Sequence, residues 1–454
     1  MSAQQQPQLK HGLSNRHIQL IALGGSIGTG LFLGISQTIK LAGPSVILGY
    51  ALAGLIAFFM MRQLGEMVVE EPVSGSFSYF AYKFWSPFAG FMSGWNCWVL
   101  NVLVCMAELS AIGLYVQYWW PEIPTWISAL GFFVLINAIN LLHVKVFGET
   151  EFLFSMIKIL AIIGMIGYGA WLLASGHGGA HASISNLWAL GGFFPNGISG
   201  LIMAMAIIMF SFGGIELVGI AAAETKNPTT TIPKAVNQIV YRVLLFYVLT
   251  IIVLLSLFPW NQIAEGGSPF VLIFDSLGSQ GVATVLNFVV LTAAISVYNG
   301  TSYGTSRMLL GLAEQGNAPQ FLKKINQRGI PYAAILCSAL VTLLCVVLNY
   351  IFPEKAFKLL MSLVVSAIVI NWMMLALTHL KFKQRMLALQ KSTLFPTLIY
   401  PISNYICIVF MLGILVVMWL TPDMRIAVML IPLWIGCLTL TYWFKQRSKT
   451  QKIQ

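Results

Sequence analysis

The chain has 454 residues, of which 58% are hydrophobic and only 9% charged, and its mean hydropathy is +0.83. A soluble protein of this length cannot hide that much apolar surface, so the composition excludes a soluble globular class and implies a polytopic α-helical membrane protein. The formal net charge of +11 is placed as an orientation signal and an attraction for anionic lipid, not as a nucleic-acid patch.

Residues 1–16 are polar, with no apolar h-region and no small-residue cleavage site, so the first span is expected to be retained. Hydropathy predicts about twelve spans, near 17–39, 42–66, 88–116, 126–143, 151–175, 198–222, 238–259, 281–311, 331–351, 357–379, 402–421 and 425–444. With the N-terminus inside, outward loops and span ends hold only Lys40, Lys355, Lys358 and Arg425, and Lys158 falls within a span. The rest of the 25 basic residues lie in or beside inward loops, which orients both termini toward the cytoplasm. Three regions follow: a cytoplasmic tail at 1–16, a membrane domain at 17–444 and a cytoplasmic tail at 445–454.

The first span carries Gly24, Gly25, Ser26, Gly28, Thr29 and Gly30 at its centre. A helix in lipid must satisfy its backbone groups internally, so this run weakens the helix where weakening costs most, unless the freed backbone binds something. A dinucleotide loop is excluded by the reversed glycine spacing, the missing strand and Lys40 in place of a ribose-binding acid. Close helix packing explains some of the glycines, but not four within seven residues alongside two hydroxyls. An unwound half-helix N-terminus favours an anion such as an α-carboxylate.

Span three repeats Cys97, Asn101 and Cys105 every four residues, a stripe on one helix face. The loop at about 176–197 holds His177 and His181, but Gly178 and Gly179 argue for a flexible loop over a metal site, and no metal or cofactor is expected. Span six holds the second break, Phe210-Ser211-Phe212-Gly213-Gly214-Ile215-Glu216, whose freed carbonyls suit an α-ammonium. Carboxylate on one break and ammonium on the other describes a free α-amino acid. The breaks lie five spans apart, an odd number, so spans 1–5 and 6–10 read as an inverted repeat with 11–12 appended. The six cysteines read as small packing residues, and the six histidines (His11, His17, His143, His177, His181, His379) as loop or span-end residues.

Four ionisable groups, Glu108, Lys158, Glu216 and Arg307, lie well inside spans and are expected to face the bundle interior. For Arg307, near one end of span eight, pairing with an inner-surface acid is the expectation. Glu108 either pairs with another helix or lies near the pocket.

The GGSIGTGLF run, the FSFGGIE run followed by Glu224, Asn227 and Pro228, and SRMLLGLAEQGNAP (306–319) resemble the amino acid–polyamine–organocation superfamily, end to end. RQLGEMVVEEPVSGSFSYFAYKFW (62–85) and KVFGETEFLFSMIK (145–158) resemble its bacterial aromatic amino acid permeases in particular. The resemblance implies a LeuT-type five-plus-five inverted repeat and proton-coupled uptake of phenylalanine, tyrosine and tryptophan across the bacterial inner membrane. It implies that Ser26, Gly28, Thr29 and Gly30 hold the carboxylate, and that the carbonyls of Phe210, Ser211 and Gly213 hold the ammonium, with Phe210 as a lid. It places Lys158 beside the first break, where a tethered ammonium can replace the sodium ion of sodium-coupled relatives and carry a proton. As ionisable groups inside spans, Glu216 after the second break and Glu108 are the further candidates for gating or proton coupling. The stripe Cys97, Asn101, Cys105 faces the site on this reading. The chain departs from the aromatic permeases in having a thiol and an amide where they have rings. Alternatives are a permease or exchanger for another neutral amino acid such as histidine, a non-transporting receptor, or a membrane enzyme. The short tails argue against a receptor, and the missing nucleophile–base or metal-ligand pair at depth argues against an enzyme.

Overall fold

A computed structural model describes residues 27–73, 76–141, 144–216, 219, 227–263, 268–276 and 278–450, and no strand occurs among them. In chain order the helices are α1 (Thr29–Phe32), α2 (Gly34–Ala42), α3 (Val46–Glu70), α4 (Ser76–Phe84), α5 (Pro87–Gln117), α6 (Thr125–Asn140), α7 (Val144–Ser175), α8 (Gly197–Phe210) and α9 (Pro228–Arg242). A π-helical run, Val243–Leu249, joins α9 to α10 (Thr250–Leu257). There follow α11 (Pro269–Ser276), α12 (Gln280–Glu314), α13 (Tyr332–Thr342), α14 (Leu344–Ile351), α15 (Ala356–Ala388), α16 (Ile402–Leu420) and α17 (Pro422–Thr450). Among the described residues, nine helices are long and apolar enough to cross a membrane, with Gly34–Glu70 counted as one, and Thr125–Asn140 and Gly197–Phe210 are shorter apolar helices. The chain is therefore an all-helical, polytopic membrane protein.

Burial separates a central group from a peripheral one. The apolar stretch of α5 is 83% buried and that of α15 78%, against 11% for Pro422–Arg447. α5 packs most extensively on α12 and then on α15, so these three form the pillar around which the rest assemble. The outer helices expose Leu153, Leu160 and Ile163 on α7, Val409, Leu412 and Val416 on α16, and Leu433 and Leu440 on α17. In water such a belt would be an aggregation liability. Against acyl chains it carries no penalty, because lipid is as apolar as leucine.

α2 ends at Gly43, whose φ of 61° lies in the left-handed region that glycine tolerates. Asn196, just before α8, donates to the Lys40 and Leu41 carbonyls, both at 3.0 Å, supplying partners that the last turn of α2 lacks. The end of one broken helix is thus tied to the beginning of the other, and α2 and α8 pack closely.

One end of the bundle is closed by a polar knot that the sequence did not reveal. Glu66, fully buried on α3, accepts from Lys383 (2.8 Å), the Thr393 hydroxyl (2.5 Å) and the Thr397 backbone N–H (2.8 Å), and lies 2.9 Å from His379 Nε2. His379 was expected at a span end. Instead α15 continues to Ala388, so His379 is buried within the helix, with Asn404 3.0 Å from its Nδ1. The last helix likewise continues past the expected tail boundary at 445, to Thr450. Glu66→Ala strips His379 and Lys383 of a shared buried partner. Breaking such a pair costs about 3–5 kcal/mol, so the detergent-solubilised variant should aggregate at a clearly lower temperature than wild type, and Glu66→Gln should lose less.

Candidate functional site

At the first break, Gly28 is extended and caps α1, its carbonyl accepting from the Leu31 and Phe32 N–H groups at 3.1 and 3.3 Å. α1 gives way at Leu33 to α2. Ser26, with Gly24 and Gly25, lies outside the described residues, as do Glu224 and His143. The glycines here serve close approach. A Cβ on Gly30 would lie 2.5 Å from Ser211 Cα, and one on Gly28 would lie 2.9 Å from Val297 Cγ2 and 3.0 Å from Glu108 Oε1. The two breaks therefore touch backbone to backbone, Gly30 against Ser211.

At the second break, α8 stops at Phe210 and the chain runs through turns over residues 211–216. Ser211, Phe212 and Gly213 donate to the carbonyls three residues back, of Ile208, Met209 and Phe210. Gly214 takes a φ of 92°, and Glu216 folds back to accept from its N–H at 3.2 Å. Tyr247, in the π-helical run, donates to the Ser211 carbonyl at 2.9 Å, and the hydroxyls of Tyr50 and Ser211 lie 3.2 Å apart. Tyr247 stacks on Phe212 and on Tyr50 at centroid distances of 5.2 and 5.4 Å. A local widening of the helix thus aims a tyrosine at the break, and an aromatic stack backs it. Of the three carbonyls expected to hold an ammonium, those of Phe210 and Ser211 already accept one hydrogen bond each. A carbonyl oxygen has a second lone pair for a ligand.

Between the breaks lies a cavity of about 20 Å³, room for roughly one water. Gly28 and Gly30 line it from the first break, Phe210, Ser211 and Gly213 from the second, Val104 and Glu108 from α5, and Val297 from α12. The Thr29 hydroxyl donates to Glu108 Oε1 at 2.9 Å, while the buried Glu108 Oε2 has no hydrogen-bond partner among the described residues. Of the two arrangements open for Glu108, the structure gives both: it pairs with the first break and it lines the cavity. Phe210 is buried and meets Phe357 edge-on at 6.0 Å.

The α5 stripe turns slightly from the expected one. Val104 lines the cavity, whereas Cys97, Asn101 and Cys105 are not among its lining residues, and Cys105 points its thiol at the Tyr298 carbonyl, 3.9 Å away. Cys97, Asn101, Val104 and Glu108 follow i, i+4, i+7, i+11 spacing, which tracks one face more closely than strict steps of four. Cys97 is buried within electrostatic reach of Glu216, and Asn101 is buried with its Nδ2 lacking a hydrogen-bond partner.

Lys158 is fully buried beside the first break, donating to the Ile27 carbonyl at 3.4 Å and to Ser296 Oγ on α12 at 2.9 Å. The Ser296 hydroxyl donates in turn to Glu151 Oε1 at 2.5 Å, and Glu151 is 1% exposed. Sequence reasoning missed Glu151 because hydropathy starts the span there, whereas α7 begins at Val144. Its spacing was the available signal: Glu151 and Lys158 are seven residues apart, two turns on one helix face. Both Glu151 and Glu108 lie within electrostatic range of Lys158. Arg307, away from this group, lies over the Tyr303 ring at 3.1 Å and donates to the Tyr303 carbonyl at 3.3 Å.

The profile of the family described as Amino acid permease matches residues 17–454. The chain belongs to this family. It is 62% identical over 441 residues to the "Aromatic amino acid transport protein AroP" of Escherichia coli, covering 97% of this chain and 96% of the relative. To the protein of the same name in Salmonella typhi it is 60% identical over 452 residues, 99% of each. The "Uncharacterized amino acid permease YtnA" of Bacillus subtilis is 42% identical over 444 residues, 97% of this chain and 96% of the relative. In this member of the family, two interrupted helices meet at a small cavity inside the bundle, lined mostly by apolar groups with Glu108 and Ser211 among them.

Proposed function

We propose that this permease is a secondary active transporter that carries phenylalanine, tyrosine and tryptophan with protons across the bacterial inner membrane, and that it is not an enzyme. The observation that carries the substrate class is the identity of 60–62% over nearly the whole chain with proteins named for aromatic amino acid transport. Residues 17–444 form the transport domain, in a LeuT-type five-plus-five repeat with two appended helices. The tails at 1–16 and 445–454 lie in the cytoplasm, in keeping with the basic inward loops.

In this reading Ser26, Gly28, Thr29 and Gly30 take the α-carboxylate, and the Phe210, Ser211 and Gly213 carbonyls take the ammonium. Cys97, Asn101 and Val104 face the side chain, and Cys105 supports the stripe from behind. Lys158 carries the coupled proton, with Glu108 and Glu216 as gating groups. An amino acid is many times larger than a cavity of about 20 Å³, so the arrangement described is a closed one. Loading then requires the two breaks to part, and closure brings Gly30 back onto Ser211.

The test is uptake of labelled phenylalanine by the purified protein in sealed vesicles, competed by a panel of unlabelled amino acids. Competition by tyrosine and tryptophan, but not by alanine or histidine, supports the reading. A second reading, a permease for a neutral substrate with a polar side chain such as histidine, is favoured by the buried Asn101 amide that finds no acceptor among the described residues; strong competition by histidine would select it. Asn101→Tyr is expected to leave transport working but to shift the phenylalanine-to-tryptophan uptake ratio by about fivefold or more, because a change of one methylene's size in an apolar pocket is worth ~1–3 kcal/mol. An unchanged ratio would place Asn101 away from the ligand.

A further inference from the structure

The hydrogen bonds around Lys158 continue beyond the group that the reading above uses. Lys158, Ser296 and Glu151 are 0%, 0% and 1% exposed, so no bulk water reaches any of them. The Ser296 oxygen accepts from Lys158 Nζ at 2.9 Å while its hydrogen is directed to Glu151 Oε1 at 2.5 Å. The other carboxylate oxygen accepts from Asn299 Nδ2 at 3.5 Å, and Asn299 is held by Asn140 Nδ2 at 2.9 Å. Glu151 lies two turns from Lys158, about 10 Å along the helix axis, toward the end of α7 that the basic inward loops place on the cytoplasmic side. An acid buried at this depth is costly unless it serves a path.

We propose that Ser296 and Glu151 form a proton relay, in which Glu151 receives the proton that Lys158 releases, by way of the Ser296 hydroxyl. The step is balanced. An Nζ–H bond of the ammonium breaks as a new Oγ–H bond forms on Ser296, and the original Ser296 hydrogen passes to Glu151 Oε1. Ammonium and carboxylate become amine and carboxylic acid, with total charge unchanged. Among the described residues, the charged groups within electrostatic range of Lys158 include Glu151 on its own helix and Glu108 on α5. Glu108 lines the substrate cavity and is bonded to Thr29, so it sits on the loading side, whereas Glu151 sits on the other side of Lys158's hydrogen bonds. Asn299 and Asn140 hold the carboxyl so that Oε1 stays aimed at Ser296, and act as positioning residues. This relay rests on the reading of Lys158 as the proton carrier.

The test uses the full-length protein in sealed vesicles, with labelled phenylalanine and a pH-sensitive dye inside. Ser296→Ala is expected to slow uptake driven by an imposed pH gradient by about a hundredfold or more, the scale of losing one proton-transfer group, with counterflow at equal pH kept within about twofold. Ser296→Thr, which keeps the hydroxyl, should retain both activities, and Glu151→Gln should behave as Ser296→Ala does. Wild-type pH-driven uptake by Ser296→Ala overturns the relay. Equal loss of counterflow and pH-driven uptake in that variant also overturns it, since Ser296 would then be a packing residue. Loss in Glu151→Gln beside an intact Ser296→Ala overturns it in favour of a plain counter-ion. The parallel Lys158→Ala separates the two levels. If that variant keeps pH-driven uptake, the carrier reading fails first; if it loses coupling while Ser296→Ala keeps it, the relay alone fails.

Discussion

Gly30→Ala is expected to abolish uptake of labelled phenylalanine while the protein still reaches the membrane at normal levels. The added methyl would lie 2.5 Å from Ser211 Cα and 2.9 Å from Ser211 N, which are backbone atoms of the second break and cannot rotate aside. Ordinary contact begins at 3.4 Å, so relieving the 2.5 Å approach holds the two breaks apart by about 1 Å in the closed arrangement. Displacements of about 1 Å at a positioned site cost on the order of a hundredfold, so uptake should fall by at least that much. The loss should be larger than for Gly34→Ala, whose added Cβ would have its nearest neighbour at an ordinary 3.9 Å. The measurement is initial uptake rate per inserted protein, with Gly34→Ala as the matched control. Wild-type uptake by Gly30→Ala would show that the breaks do not need to meet during transport.

Lys158→Ala should remove pH-driven accumulation while leaving exchange in place. Linkage requires a group whose proton affinity differs between transport states. Lys158 has the position for this, joined to the first break through the Ile27 carbonyl and to α12 through Ser296. The backbone at Gly28, Gly30 and Ser211, proposed to hold the substrate, carries no contribution from its side chain. Phenylalanine binding to the variant should then stay within a few-fold of wild type, and counterflow of labelled against unlabelled phenylalanine should persist. Accumulation driven by an inside-alkaline gradient should fall to the level of empty vesicles. Concentrative, pH-driven uptake near the wild-type level would rule out Lys158 and move the proton to Glu216 or Glu108.

Much of this protein is legible along the chain, because lipid imposes its rule residue by residue. Each span must satisfy its own backbone, so Gly24 to Gly30 and Phe210 to Glu216 announce themselves as breaks without knowledge of any partner. The same local rule singles out Glu108, Lys158 and Glu216 as groups that lipid will not accept. Which of these side chains meet is another matter. That Glu108 bonds Thr29 across 79 positions, that Lys158 shares Ser296 with Glu151 across 138 and 145, and that Val104 displaces Cys105 at the cavity are consequences of how α5, α7 and α12 rotate against one another. His379 reads as a span-end residue, yet α15 runs on past the apolar stretch and His379 is buried beside Glu66, 313 residues away. Hydropathy reads length and composition, which belong to one segment at a time; helix rotation is set by packing between segments, where a turn of a few tens of degrees decides whether a side chain faces the cavity or its neighbour's backbone.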